Sequence, residues 1–278
     1  MSGNKTFGKR VGRVLPHIVM MTVAILFLIP LLWLVVASLD PQADLTLRFD
    51  HRLSLENYKA TIMNAKSRSA FLNSIIISVS TTVIVGICSL LAAYPLSRYN
   101  LKNGQKITLG MLFLTSLPIA AIMVPVYQLF ILLNLVNSTF GTIMFLASTS
   151  LPYAIWMSKN FLDSVSIDVE EAAWIDGASV ITTLARIVVP LMLPGVFTVA
   201  ITTFIGSWGN FFVPYILLQT VNKLPASVMI YQFFGQHIIV YGQLAAYSVM
   251  YLAPVFILYS LAQRYMSQGF TMGGGVKG

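Results

Sequence analysis

The sequence predicts an all-α chain, a polytopic membrane bundle of six transmembrane helices, on three observations. Hydrophobic residues make up 57% of its 278 residues. Charged residues make up only 9%, against roughly 25% in a soluble domain, too few to cover a water-facing surface. The charges come in clusters that leave charge-free stretches at residues 14–39, 69–97, 107–158, 187–222 and 224–263. Each exceeds the ~20 residues an α-helix needs to cross a hydrocarbon core of roughly 30 Å.

Cutting those stretches at turn and charge signals predicts helices near 14–39, 71–96, 107–132, 139–158, 190–218 and 241–263. Asn134, Asn137 and Ser138 supply turn chemistry that splits the double-length run 107–158 into a hairpin. The run 187–263 divides around Lys223, Pro225, Gln232, Gln236 and His237. The first apolar segment is too long for a signal-peptide core and lacks a clear cleavage site before Asp40, so it is expected to be retained. Six spans put both termini on one side, and 11 of the 17 Lys and Arg residues fall on that side. The positive-inside rule makes it the cytoplasm. Prolines 30, 118, 125, 194, 214 and 254 fall within the spans, where freed backbone groups need partners in neighbouring helices.

Several functions are excluded by what the chain lacks. Its net charge of +8 sits on topology signals such as Lys9, Arg10 and Arg13, not on a polar surface that could track a phosphate backbone, so no nucleic-acid partner is expected. Cys88 stands alone in an apolar span, without a disulfide or a Cys-based metal site. His17, His51 and His237 are far apart and split across the membrane, so neither a metal centre nor a catalytic triad is expected. Gly3 to Lys9 approaches a phosphate-binding loop, but Arg10 replaces the residue that would hold Mg²⁺ and no strand precedes it. The spans hold no mid-membrane Asp, Glu, Lys or Arg, the groups that ion-coupled carriers use. Energy is therefore expected to enter from another chain.

Five of the nine acids lie between Asp163 and Asp176. There Asp168 and Glu171 have the spacing of a capping box, and Gly177 is placed to end a short helix with a left-handed residue. A second helix is expected from Ser179 to Val189, before Pro190. Ala172, Ala173 and Gly177 leave a shallow face for a partner's backbone, with Trp174 as an apolar anchor. Composition alone leaves a merely solvated loop as the alternative. Glu170 and Glu171 are neighbours pointing about 100° apart, so they make no acid/base pair.

The spacing Glu171-Ala-Ala, three residues, Gly177, nine residues, Ile187-x-Val-Pro190 resembles the EAA loop of ABC importer permeases, with Val189 where that pattern has Leu. Asn73-Ser, Ala93-Tyr-Pro-Leu-Ser-Arg98, Trp208-Gly-Asn-Phe and the Gly-rich end at Gly269–Gly278 resemble further segments of the binding-protein-dependent carbohydrate, MalG-like, group. In the third of these, Gly209 and Asn210 replace an Asn and an acid. The resemblance covers residues from about 70 onward. It implies a type I ABC importer permease fold, divided into a segment 1–69, a permease core 70–265 with the coupling loop at about 161–190, and a cytoplasmic tail 266–278.

The same resemblance implies that Glu170, Glu171, Ala172, Ala173, Asp176, Gly177, Ile187 and Pro190 couple the chain to a cytoplasmic ATPase present in two copies, which would hold the ATP and Mg²⁺. This chain would bind no cofactor. Further implied partners are a second related permease in a bacterial inner membrane and an extracytoplasmic solute-binding protein facing the loop 219–240. The tail would lie between the ATPases. Tyr127, Gln128, Asn134, Trp208 and Asn210 are candidate lining residues, since aromatic faces and amides suit a sugar or oligosaccharide; helix packing or interfacial anchoring is their other use. Another small polar solute such as a glycerol phosphate is the alternative cargo. An intramembrane enzyme or a channel is a remoter one, and neither would explain the loop.

Overall fold

In the computed structural model, which describes residues 3–46, 53–235 and 239–273, no strand occurs among the described residues. The order is α1 (Gly3–Leu39), α2 (Glu56–Met63), α3 (Ala65–Arg98), α4 (Gly104–Thr115), α5 (Ile119–Leu132), α6 (Thr139–Asp163) and α7 (Ile167–Ile175). There follow α8 (Val180–Thr183), a π-turn (Leu184–Val188), α9 (Val189–Leu191), α10 (Leu193–Trp208), α11 (Phe212–Leu217), α12 (Ala226–Gln232) and α13 (Tyr241–Gly273). Pro16–Leu39 of α1, α3, α6 and Tyr241–Leu261 of α13 are each long and apolar enough to cross a bilayer. Two bent pairs, α4 with α5 and Val180–Leu191 with α10, bring the spans to six when each pair counts as one.

Lipid is written into these helices. In α1, Met20 and Phe27 are 71% and 73% exposed, the state of side chains solvated by hydrocarbon. The glycines and Lys9 of the sequence that approaches a phosphate loop lie in α1, so that segment is helical.

The charge-free run predicts one straight helix over 107–132, but the axis turns by 90° between α4 and α5. Pro118 removes a backbone donor and pushes the residue before it out of the helical region, so the helix stops at Thr115 and restarts at Ile119. At about 18 and 21 Å, neither half crosses the core alone. The next turn is closed by asparagine. Asn134 has φ +55°, its N–H donates to the Ile131 carbonyl (3.1 Å), and Leu135 N–H reaches back to Phe130 (2.8 Å). This two-bond lock is the Schellman motif, which satisfies two of the carbonyls left open at the helix end. Ser138 then caps α6 by accepting from Gly141 N–H.

A single helix over 190–218 is likewise not formed. α10 ends at Trp208, and the side chain of Asn210 accepts from Val213 N–H (3.1 Å) to start the separate α11. Gly209, which has no side chain to pack, sits at the junction.

The chain divides into two compact units. One holds the described residues of Met1–Asn64 with Gln232–Met250, the other those of Ala65–Tyr231 with Tyr251–Gly278. In the first, the amide of Asn57 donates to the carbonyls of Ser38 (3.2 Å) and Asp40 (2.9 Å). Gly242 presses against that amide closely enough that a Cβ would overlap it. In the second, α3 packs on α6 and α10 through small side chains: Ser78, Thr81, Ser89, Thr142 and Ser158 are buried, and Ser158 donates to Ser89 (3.2 Å). Small residues let helices approach where lipid offers no hydrophobic drive to associate. Residues Gly274–Gly278 of the expected tail, and His51 and His237, lie outside the described residues.

Gly195 of α10 lies so near α6 that a Cβ there would overlap the ring and Cβ of Phe161. Gly195→Val is expected to cost about 1–3 kcal/mol by overpacking, read as a lower Tm of the detergent-solubilised chain. Gly86→Ala, whose added methyl meets nothing within 4 Å, serves as the silent control. Equal melting of the two would show that the Gly195 contact does not constrain the bundle.

Candidate functional site

The segment from Ser164 to Leu191 is built by local hydrogen bonding before any long-range contact acts. Ser166, not Asp168, caps α7: its Oγ accepts from Asp168 N–H (3.3 Å) and its hydroxyl donates to the Asp168 carboxylate (3.0 Å). Asp168 therefore sits in the first turn, where a negative charge favours the helix dipole. At the other end Asp176 is the C-cap and Gly177 adopts φ +87°. Gly177 N–H donates to Trp174 (3.0 Å) and Ala178 N–H to Ala173 (2.9 Å), again the Schellman pair. Ser179 caps α8 by accepting from Thr182 N–H (3.3 Å).

The second helix does not stop at Val189. It runs on through Pro190 to Leu191 by widening into the π-turn, in which Val189 N–H pairs with the Leu184 carbonyl. An 83° bend then leads into α10. Beneath this segment Tyr94, Leu162, Leu184, Val188 and Met192 form a buried apolar cluster that ties the ends of α3 and α6 to it.

The two faces of α7 differ sharply. Glu170 is fully buried and Ala173 is 7% exposed. Glu171, Ala172, Asp176 and Gly177 are exposed, and Ile175 is 86% exposed. Ala173 thus packs inward and is not part of the outward shallow face. Across the glycine turn Ile181 is 78% exposed, so an apolar pair flanks Gly177 on the outer side, where no Cβ neighbour lies within 4 Å. Ile187 is half-buried and Pro190 exposed on the following helix. Composition hides Ile175 and Ile181, because an isolated isoleucine in a membrane protein attracts no notice.

Inward, Glu170 enters a closed ion-pair network. Arg98 Nε donates to its Oε1 at 2.6 Å and the Tyr94 hydroxyl to its Oε2 at 2.7 Å. The Arg98 and Glu170 side chains are 5% and 0% exposed. Arg98 Nη2 donates to the Val165 carbonyl (3.0 Å) and Nη1 to Ser97 Oγ (3.3 Å). Ser97 donates in turn to Asp163 (2.6 Å), which pairs with Lys159. Tyr94 and Arg98 stand four residues apart on one face of α3. That spacing was visible in the sequence, though its target was not. Removing either member of such a buried pair leaves the other charge uncompensated, a loss on the order of 3–5 kcal/mol.

The five candidate lining residues are not gathered into one surface. Among the described residues no hydrogen bond or ring contact joins any two of them. Trp208 is 2% exposed, stacked between Phe204 and Tyr251. Its Nε1–H donates to the Tyr251 carbonyl and the Tyr251 hydroxyl returns a bond to the Trp208 carbonyl. It locks α10 to α13 instead of facing an opening. Asn134 closes α5 and Asn210 opens α11, both structural tasks. Tyr127 accepts from the Gln219 amide (2.9 Å) and Gln128 is exposed. A different aromatic group stands open: Phe211, Tyr215 and Tyr231 have ring centroids 5.0 to 5.8 Å apart, with Tyr215 and Tyr231 about half exposed.

The segment after α11 is pinned by asparagines. Asn137, at φ +59°, accepts from the N–H groups of Gln219 and Thr220 (both 3.1 Å) and receives Lys223 Nζ on its carbonyl (2.7 Å). Asn73 donates to Asn222 and Leu224, and Ser74 accepts from Ala226 N–H (2.8 Å). The Asn73-Ser74 pair is thus an anchor for a loop some 150 residues away. Among the described residues no three His, Cys, Asp or Glu side chains gather as metal ligands.

The apolar spans, four single helices and two bent pairs among the described residues, with a helix, a glycine turn and a helix following α6, define a polytopic membrane protein. Residues 86–271 match the binding-protein-dependent transport system inner membrane component family, and the chain belongs to that family. It is therefore a multi-pass inner-membrane transport subunit and not an enzyme. The sulfoquinovosyl glycerol transport system permease protein SmoH of Agrobacterium fabrum is 32% identical over 253 residues, covering 89% of this chain and 88% of its own length. The arabinooligosaccharides transport system permease protein AraQ of Halalkalibacterium halodurans is 31% identical over 263 residues, covering 92% and 93%. The fold is similar to that of a chain of a bacterial ABC transporter involved in the import of the acidic polysaccharide alginate, with a TM-score of 0.80 at 21% identity, over 93% of this chain and 97% of that one.

The turn at Gly177 makes a direct prediction. Asn tolerates left-handed φ, so Gly177→Asn is expected to melt within about 0.5 kcal/mol of the parent, whereas Gly177→Val, forced into that region, loses about 1–2 kcal/mol. Thermal unfolding of the two purified variants measures the difference. Equal stabilities would remove backbone conformation as the reason for the glycine.

Proposed function

We propose that this chain forms half of the translocation path of an ATP-driven importer, beside a second related permease, and that α7 with its glycine turn is the surface on which a cytoplasmic ATPase subunit docks. The observation that carries the reading is the two-faced α7: Glu171, Ala172, Ile175 and Gly177, with Ile181 beyond the turn, are exposed, while Glu170 and Ala173 are buried. A charge, a shallow floor and two flanking apolar side chains suit a protein groove. Asp176 lies on the same outer face, and Ile187 and Pro190 extend it. Glu170 serves the surface from behind. ATP and Mg²⁺ belong to the two ATPase copies.

The cargo is a sugar or oligosaccharide delivered by an extracytoplasmic solute-binding protein. The names of SmoH, AraQ and the trehalose permease SugB of Mycobacterium tuberculosis, which is 29% identical, favour a carbohydrate over a glycerol phosphate. Both termini lie in the cytoplasm, in keeping with the Lys and Arg bias. Tyr127 and Gln128 remain lining candidates, joined by the open rings of Tyr215 and Tyr231, which offer flat faces of the kind sugar rings stack on. Trp208, Asn134 and Asn210 act as the frame that holds those elements.

Reconstituted vesicles containing this chain, its partner permease and the ATPase, supplied with the binding protein and labelled trehalose or an arabinooligosaccharide, test the reading. ATP-dependent uptake is expected for at least one carbohydrate. Glu171→Lys, which reverses the charge on the outer face, is expected to lower uptake at least about tenfold, the scale of one charge-assisted contact, and to weaken ATPase copurification. Full uptake with Glu171→Lys would contradict the docking assignment.

A further inference from the structure

The burial of Glu170 beside the exposed Glu171 gives two adjacent acids opposite tasks. Of the nine residues of α7, only Glu170 and Ala173 are buried. A helix this short is not stable by itself in water, and its flanking connections are only a few residues long. Force applied to its outer face would be absorbed by those connections unless something ties the helix to a long element. Among the described residues the ionic tie from α7 to a long element ends on α3.

We propose that Arg98 and Tyr94 form a clamp on Glu170 that makes α7 and the end of α3 move as one lever, so that displacement of the docking surface is transmitted into a membrane span instead of bending the loop. The proposal rests on α7 being the ATPase contact. Its geometry is that of a rivet. The Arg98 guanidinium uses all three nitrogens, on α7 (Glu170, 2.6 Å), on the connection before it (Val165 carbonyl, 3.0 Å) and on its own helix (Ser97, 3.3 Å).

Tyr94 holds the second oxygen of Glu170, so the carboxylate cannot swing about its own axis. Ser97 passes the connection to Asp163 at the end of α6. A planar guanidinium bound on several edges resists rotation in a way that a single ammonium does not. Charge-assisted bonds shielded from water are also stronger than exposed ones. Glu170, Arg98 and Tyr94 are accordingly positioning residues. The second route out of α7, through the glycine turn, α8 and the π-turn into α10, has no comparable ionic tie among the described residues, so α3 is the stiff arm and the π-turn the compliant one.

The test uses spin labels at Ile175 of α7 and at Tyr99, just beyond α3, both exposed, with Cys88→Ser as background, in the whole complex with partner permease and ATPase. The label-to-label distance is measured without nucleotide and with ATP and vanadate. The parent is expected to give the same narrow distribution in both states, while Glu170→Gln, Arg98→Lys and Tyr94→Phe are expected to broaden it and to shift it between states. A parent distance that changes between the two states, or clamp variants that keep it constant, overturns the proposal. Should Glu170→Gln fail to assemble, Tyr94→Phe, which leaves the ion pair intact, decides the matter. The mobility of the Ile175 label on adding the ATPase reports separately on docking: a label that stays mobile refutes the contact, whatever the distance does.

Discussion

A helix end leaves backbone donors and acceptors without intrahelical partners, and where this chain leaves the helical path its own side chains and reversed backbone bonds supply many of them. That constraint accounts for more of the structure than any single packing contact. Asn134 and Gly177 end their helices with the same pair of reversed bonds, and Ser138, Ser166 and Ser179 open theirs with a side-chain acceptor. Pro190 is accommodated by a π-turn instead of a break. Asn137 and Asn73 do for a loop what caps do for helices, offering amide groups to backbone that has left regular structure. The exposed glycine turn is one of these closures, and Glu170 of the clamp lies about two helical turns before it.

Charge is distributed by the same rule. Among the described residues the middles of the spans carry no Asp, Glu, Lys or Arg, the groups that ion-coupled carriers use. Glu170 and Arg98 are buried only at the edge of the bundle, where each finds a full set of partners and the desolvation cost is offset by shape and by neutral donors. On the function proposed above energy arrives through a surface, and the exposed part of α7 is apolar at Ile175 and charged at Glu171.

The six spans were legible because a charge-free run of twenty residues has few other physical uses, and the hairpin at Asn134–Ser138 because asparagine accepts positive φ at little cost. What escaped the sequence was direction. Proline at 118 breaks a helix while Pro30 remains inside one, a difference that residue type does not carry. Asp168 and Ser166 were both able to cap α7, and the serine's position one residue before the helix decided it. Glu170 and Glu171 differ by a rotation of about 100°, enough to bury one and expose the other, yet both read as acids of one loop. Trp208 looked like a binding residue because large aromatics are; its indole N–H had instead been taken by a backbone carbonyl on α13. The Tyr94 and Arg98 pair was visible as a spacing without a partner, because its partner is more than 70 residues away.

The central claim is that work enters this chain through the outer face of α7. Placing a photoreactive amino acid at Ile175, with the lipid-facing Phe27 as the reference position, and irradiating the assembled complex tests it most directly. The account predicts a covalent adduct between this chain and the ATPase subunit from position 175 and none from position 27. A complex that imports solute but yields no ATPase adduct from position 175 would contradict it.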